Sequence, residues 1–168
     1  ARVLRKEDKR FITGKGRYTD DIIEPNQAYA AFVRSPHAHA RIVSLDTSAA
    51  LAMEGVEAVL TGPELVADGI GNIICGWGIT SKDGTPMNMG AWSALATEKV
   101  RYVGDAVAIV VADSKSQAKL AAEAVVVTYE ELPVVVGSVE ALAPGAPQLH
   151  DNAPGNLIFD WEIGDLAP

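Results

Sequence analysis

Three histidines, one cysteine and two acidic doublets are the residues of this 168-residue chain whose types and spacing could do chemistry. The sharpest local pattern is His37-Ala38-His39. On an extended segment, residues two apart face the same side, so both imidazoles could share one metal ion. Such a site needs a third and a fourth ligand, and the only other histidine, His150, is far away in sequence. Pro36 also interrupts the extended geometry. The plainer reading has one imidazole hydrogen-bonding at a strand end and the other facing solvent or a neighbouring domain.

The remaining candidates are weaker. Gly14-Lys15-Gly16-Arg17 could cradle a phosphate, but it lacks the Walker spacing, a preceding strand and a lysine opening a helix, which leaves an exposed turn. No Gly-x-Ser-x-Gly elbow occurs. Cys75, between Ile74 and Gly76, reads either as a reactive thiol in a loop or, more commonly for a free cysteine, as a small buried residue. The doublets Asp20-Asp21 and Glu130-Glu131 could do acid–base work only if held apart in a dry cleft, and adjacent residues rarely converge in that way. Trp77, Met87, Met89 and Trp92 stand on glycine-rich backbone. Either a partner surface covers them or they fold back onto this chain.

The elements that must position these residues follow from local pattern. Strands are expected at Gln27 to Ser35, Ala40 to Asp46, Val56 to Leu60 and Ala106 to Ala112, with further β-type runs at Val125 to Tyr129, Leu132 to Val136 and Leu157 to Ile163. Thr97 to Val103 is expected to be regular, and Ile73-Ile74 to add a short strand. Short helices are expected after Thr47, over Pro63 to Ala67 with a Thr61/Glu64 capping box, after Ser114 with Gln117, and from Ser138 to Leu142. Ala118, Ala121, Ala122 and Val125 give the third helix one stripe of small apolar residues that can sit close to a sheet. The first 25 residues show no period. Asp68 to Ala96, with six glycines, is a long irregular segment, which in a compact domain is often functional or partner-covered. Ile42 to Leu60 and Ile109 to Val127 echo each other as strand, Asp, hydroxyl cap, short helix, strand. Duplication explains this, and so does the general need for a polar cap where a strand becomes a helix. The fold class is α+β, short helices packed on a mixed β-sheet.

Composition narrows the function. Hydrophobic residues make up 48% and charged ones 21%, which excludes a disordered tail or a coiled coil. A chain of this size can remove roughly 70% of its unfolded surface from water and so hold its own core. A net charge of −8 would repel nucleic acid, and Trp 3, Tyr 4 and Phe 3 are too few for a stacking platform. A single cysteine permits no internal disulfide and no thiolate-ligated cluster. No apolar run is long enough to span a membrane, and the charged first ten residues lack a signal core. The expected compartment is the cytoplasm. The chain opens without Met and stops at Pro168 soon after an expected strand, so the expectation is a piece cut from a longer polypeptide. Taken by themselves the residues contain no convincing active site and describe a packing or support domain.

Several segments in order resemble one family. They are Arg5-Lys6-Glu7-Asp8 through Arg10-Phe11, Gly14-Lys15-Gly16-Arg17-Tyr18 through Asp20-Asp21-Ile22, and Ala31-Phe32-Val33-Arg34-Ser35-Pro36-His37-Ala38-His39-Ala40-Arg41-Ile42. Gly55-Val56 through Val59-Leu60-Thr61-Gly62, Val100-Arg101-Tyr102-Val103-Gly104 through Val107-Ala108, and Tyr129-Glu130 through Leu132-Pro133 follow. Together they resemble the start of the molybdenum-binding large subunit of the xanthine dehydrogenase, aldehyde oxidase and aerobic carbon monoxide dehydrogenase family. The resemblance covers nearly the whole chain apart from the loop between Asp68 and Ala96.

This resemblance implies an α/β-hammerhead domain over residues 26–143, an extended arm at 1–25 and a linker at 144–168 leading toward missing molybdopterin-binding domains. Asn156 through Gly164-Asp165 resembles the family's passage out of the hammerhead. The family's cofactor loops and catalytic glutamate have no match here, so no catalytic, cofactor-binding or metal-binding residue is carried over. Whole enzymes of this kind oxidise a carbon centre with oxygen from water on a molybdenum hydroxo group and pass electrons to iron–sulfur clusters and FAD in partner domains or subunits. On the resemblance this piece is a non-catalytic docking domain, inactive alone. Its partners would be the remaining molybdopterin-binding domains and the iron–sulfur and flavin subunits. Arg34, His37, His39, Arg41, Arg101 and Tyr102 are the candidates for interdomain contact, the arginines being suited to forked bonds across a seam. Two other readings stand beside it: a free-standing binding module built on the glycine-rich loop around Trp77 and Trp92, and a small enzyme using His37 and His39.

Overall fold

A computed structural model of the chain describes residues 5–164. Six strands make two three-stranded sheets: β1 (Tyr29–Arg34), β5 (Ala106–Ala112) and β3 (Val56–Thr61) in the order β1-β5-β3, and β4 (Lys99–Val100), β2 (Ala40–Asp46) and β6 (Val126–Glu131) in the order β4-β2-β6. Every pairing among them is antiparallel. Between the strands lie short helices, α2 (Ser48–Leu51), α3 (Gly62–Ala67) and α4 (Lys115–Ala124), with α1 (Asp8–Ile12) in the N-terminal arm and α5 (Ser138–Ala141) after β6. The expected α+β class is the one observed.

The two segments that echo each other in sequence turn out to be reciprocal in space. The first runs β2-α2-β3 and the second β5-α4-β6, and each helix connects strands of different sheets. The first strand of one segment pairs with the second strand of the other, β2 with β6 and β5 with β3. Helices α2 and α4 also touch. Neither segment is a parallel crossover within one sheet.

The core follows from the residues that line up on one side of each sheet. Ala108 and Val110 of β5, Val59 of β3, Ala121 of α4, Ala50 of α2 and Val125 form one buried cluster. Ala118 and Ala121 are fully buried, and their small side chains let α4 lie close on the sheet, as the stripe predicted. A second cluster, Ala40, Ala96, Val100 and Val107, lies under the other sheet. Val33, Leu45 and Val127 pack against both clusters and join them. Ser114 caps α4 by accepting the Gln117 N–H at 3.3 Å, and the Glu64 carboxylate accepts the Thr61 N–H at 2.8 Å to close the box on α3.

Several sequence expectations need correction. Val126–Glu131 is a strand, but Leu132 to Val136 is not, because Pro133 has no N–H to continue the ladder beyond the Leu132 N–H that donates to His39 O at 3.0 Å. Only Lys99–Val100 of the segment expected to be regular is laddered. Ile73-Ile74 forms no strand; the Ile73 N–H makes a single bond to Trp92 O. Leu157 to Ile163 is extended without a ladder of its own. It lies along the glycine-rich segment, accepting the Asn88 N–H at Ile158 O and the Lys82 N–H at Asp160 O, both at 2.8 Å. The arm, expected to be featureless, contains the one-turn helix α1, which buries nothing.

Candidate functional site

The six contact candidates lie on two segments, 34–41 and 99–105, that the fold brings to one corner where strand β1 of the first sheet passes into strand β2 of the second. The Ser35 N–H donates to Asp105 O and the Gly104 N–H donates to Ser35 O, each at 2.8 Å. Ala40 stands opposite Val100, and Arg41 opposite Lys99. Gly104 turns with φ of +92°, a backbone region that favours glycine. Ser35 Oγ accepts the His37 N–H at 3.0 Å, which fixes the bend at Pro36.

Each arginine is already held. Arg34 Nη1 donates to Gly104 O at 2.8 Å, and its guanidinium sits 5.1 Å from the Phe32 ring centroid. Arg41 Nε donates to Glu130 Oε2 at 3.1 Å, an exposed pair worth at most about 1 kcal/mol. Arg101 Nε donates to Leu149 O at 2.9 Å and its backbone N–H to Asp105 Oδ2 at 3.0 Å. The two acidic doublets are likewise surface partners rather than a convergent pair, with Asp20 at 2.8 Å from Lys115 Nζ.

The two neighbouring histidines divide their roles. His39 is 6% exposed, and its Nδ1 lies 2.8 Å from Pro133 O. A carbonyl only accepts, so Nδ1 carries a hydrogen toward it, and Nε2 is buried and without a partner among the described residues. His37 is half-buried. Its ring lies 4.9 Å from that of Tyr129, and its Nδ1 is 3.5 Å from Glu131 Oε1. Burial pushes the Tyr129 phenol above its ordinary value. His39 thus hydrogen-bonds at a strand end, as that reading has it, while His37 packs on Tyr129 beside Glu131 instead of simply facing solvent. No group of three His, Cys, Asp or Glu able to hold a metal occurs among the described residues.

Tyr102 lies on the outside of the corner beside Trp92, ring centroids 6.3 Å apart, and its phenol is raised by burial and then by the charge of Asp105. Trp92, Lys99, Arg101, Tyr102, Asp105 and His150 bound a recess of about 80 Å³. That is well below the roughly 300–1,000 Å³ of sites that take organic ligands. His150 is held below its ordinary value, first by burial and then by the Arg101 charge. The sequence does not single out Trp92, Lys99, Asp105 or His150 as corner residues; the partner of Lys99 is Asp151, at 3.3 Å. Cys75 is exposed rather than buried. Trp77, at 78% exposure, and Trp92, at 53%, do not fold back into the core.

A family model described as "Aldehyde oxidase and xanthine dehydrogenase, a/b hammerhead domain" matches residues 13–133. The chain belongs to that hammerhead family. The hammerhead is 42% identical over 179 residues to the carbon monoxide dehydrogenase large chain of Hydrogenophaga pseudoflava, covering 99% of this chain and 21% of that one. To the xanthine dehydrogenase molybdenum-binding subunit of Escherichia coli O157:H7 it is 37% identical, over 88% of this chain and 19% of the relative. The solved quinoline 2-oxidoreductase from Pseudomonas putida 86 superposes with a TM-score of 0.75 at 39% identity, covering 88% of this chain and 18% of that one. The hammerhead thus spans about a fifth of the length of the relatives it matches. The match runs through the glycine-rich loop 68–96, and no comparison supports a free-standing binding module built on it. No helix among the described residues is long and apolar enough to cross a membrane.

The family implies a pterin-bound molybdenum, and the corner does not fit one. It offers no metal donor set, its recess is small, and its one buried unpartnered atom, His39 Nε2, is closed off from solvent. None of the corner residues is therefore given a role toward that group.

Proposed function

We propose that this hammerhead is a non-catalytic docking domain of the large subunit of a molybdenum-dependent hydroxylase. The parent enzyme oxidises a carbon centre with oxygen taken from water. It holds its molybdopterin in the later domains of the same subunit and hands electrons to iron–sulfur clusters and FAD in partner domains or subunits. On this reading residues 1–25 are an arm, 26–143 the hammerhead and 144–168 a linker toward the cofactor-binding domains, and the whole works in the cytoplasm, where the lone thiol of Cys75 stays reduced.

The observation that carries the reading is the corner itself. Two segments 56 to 70 residues apart are locked together by backbone bonds, and the exposed side chains Arg34, Arg41 and Tyr102, with half-buried Arg101, ring that junction. Each arginine uses one nitrogen internally, which fixes its direction, and retains further donors for a forked bond to a carboxylate or carbonyl. A polar junction held by backbone bonds and presenting spare arginine donors suits docking.

The test uses the purified chain and the remainder of the large subunit expressed separately. The chain alone should carry no stoichiometric metal, show no oxidase turnover, and copurify with the remainder. Arg34→Ala should weaken that association and leave the turnover of whatever subunit still assembles unchanged. Turnover by the chain alone, or assembly that Arg34→Ala does not affect, defeats the reading.

A further inference from the structure

The two sheets differ on the sides that face away from the core. In β4-β2-β6 the outward side is mixed, with Arg41, Ser44, Asp46, Thr128 and Glu130 exposed beside Val43 and Val126. In β1-β5-β3 the outward side is aliphatic and aromatic. Strand register sets Phe32, Ile109 and Leu60 in one row and Ala30, Val111 and Ala58 in the next. None of these six belongs to either core cluster. Phe32 is 48% exposed, Ala30 is exposed, and the other four are half-buried.

β5 makes the contrast sharp. It is the central strand, and its sequence, Ala-Val-Ala-Ile-Val-Val-Ala, is apolar at every position. A strand with one wet face alternates apolar and polar residues, whereas an unbroken apolar run marks a strand covered on both faces. Helix α4 covers one face, where Ala108 and Val110 are fully buried. Among the described residues, no other helix makes comparable contact with β5, and Ile109 and Val111 stay only half-buried.

We infer that this second face is covered by the remaining part of the same large subunit, which packs an apolar layer onto the rows Phe32-Ile109-Leu60 and Ala30-Val111-Ala58. The inference rests on the docking reading above and gives it a second, apolar surface distinct from the polar corner. The length relation names the occupant. Relatives that match this chain over 88 to 99% of its residues are about five times longer, so most of such a subunit lies outside the hammerhead. Arg34 closes one end of the face, stacked on Phe32, and orients the apolar rows next to the corner. Burial of aliphatic surface then supplies the adhesion, and the corner supplies registry.

Hydroxyl-radical footprinting compares the chain alone with the chain in complex with the remainder of the subunit. Phe32 should be oxidised about tenfold more slowly in the complex. Ile109→Lys and Phe32→Glu should each abolish copurification. In the isolated chain both variants should keep the far-UV spectrum of the parent, which separates a lost surface from a lost fold. Should Ile109→Lys unfold the chain, Phe32→Glu and the footprint decide. A complex that forms with Phe32 still oxidised at its free rate overturns the assigned face and leaves the docking reading standing. Failure of the unaltered chain to copurify overturns the docking reading itself. A dimer of the isolated chain that Ile109→Lys dissociates makes a second copy the occupant, and that also overturns the inference.

Discussion

Gly62 opens helix α3 with its backbone pressed against the carbonyl of Ala96, so closely that a Cβ at position 62 would overlap that carbonyl oxygen. The neighbour is backbone, at a point where Ala96 N also donates to Ala106 O at 2.7 Å, so it cannot swing aside as a side chain would. The contact anchors the end of the long irregular segment to the start of a helix more than thirty residues earlier.

Gly62→Ala is therefore expected to destabilise the chain by about 1–3 kcal/mol, the usual cost of forcing extra atoms into a packed site. At about 2–4 °C per kcal/mol for a domain of this size, thermal unfolding should show a drop of several degrees. Gly78→Ala, whose Cβ would meet open space, serves as the control and should leave the melting temperature in place.

Asn156 ties the chain's last described turn to three separate carbonyl and amide groups. Its Nδ2 donates to Ala141 O and Pro147 O, and its Oδ1 accepts the Leu149 N–H, all at 2.9 Å. It also adopts a φ of +57°, which asparagine tolerates and alanine resists. Asn156→Ala should loosen residues 144–164, free Leu149 O from Arg101, and expose the segment to protease while α4 and the two sheets remain folded. Limited proteolysis followed by mass mapping reads this directly. Equal resistance in parent and variant would show that the three bonds do not hold the tail.

The pH dependence near neutrality should carry a contribution from His150. Its folded-state value lies below its ordinary 6.5, because burial and the Arg101 charge disfavour the imidazolium. Above 6.5 the group is neutral in folded and unfolded chains alike and adds nothing to the slope. As pH falls from there, the unfolded chain takes up the proton first, so stability declines until the folded value is passed. Chemical denaturation at a series of pH values should show His150→Gln flattening that decline below pH 6.5 relative to the parent. The carboxylates that hydrogen bonds hold below their ordinary value, Asp46 through Ser48 and Asp83 through Thr85, act only at lower pH and should be unaffected.

The parts of the fold legible in the sequence are those whose cause is local. Ala40 to Asp46 and Ala106 to Ala112 are strands over the expected bounds, and the Ser114 cap and the alanine stripe of α4 act as their spacing predicts. What escaped reading depends on partners remote in the chain. Leu157 to Ile163 has the apolar content of a strand but meets only the irregular loop at Lys82 and Asn88, so no regular ladder forms. At the corner, the motif residues around Arg34 and Arg101 were visible through resemblance. Lys99, Asp105 and His150 carried no periodic signal, and only the tail folding back through Leu149 and Asp151 brings them in. Asp105, directly after a glycine that must turn, was the one that local reasoning could have found.

No two strands that are consecutive in sequence pair with one another; every ladder joins one half of the chain to the other. The local antiparallel turn that bridges Thr80 and Pro86 lies outside both sheets, so a ribosome must release β5 before the first sheet can close, and β6 before the second finds its long partner. Such non-local topologies search slowly for the native state. Until then the apolar strand β3 and the Phe32 edge wait unpaired, which makes translation itself the interval in which this domain is most exposed to aggregation.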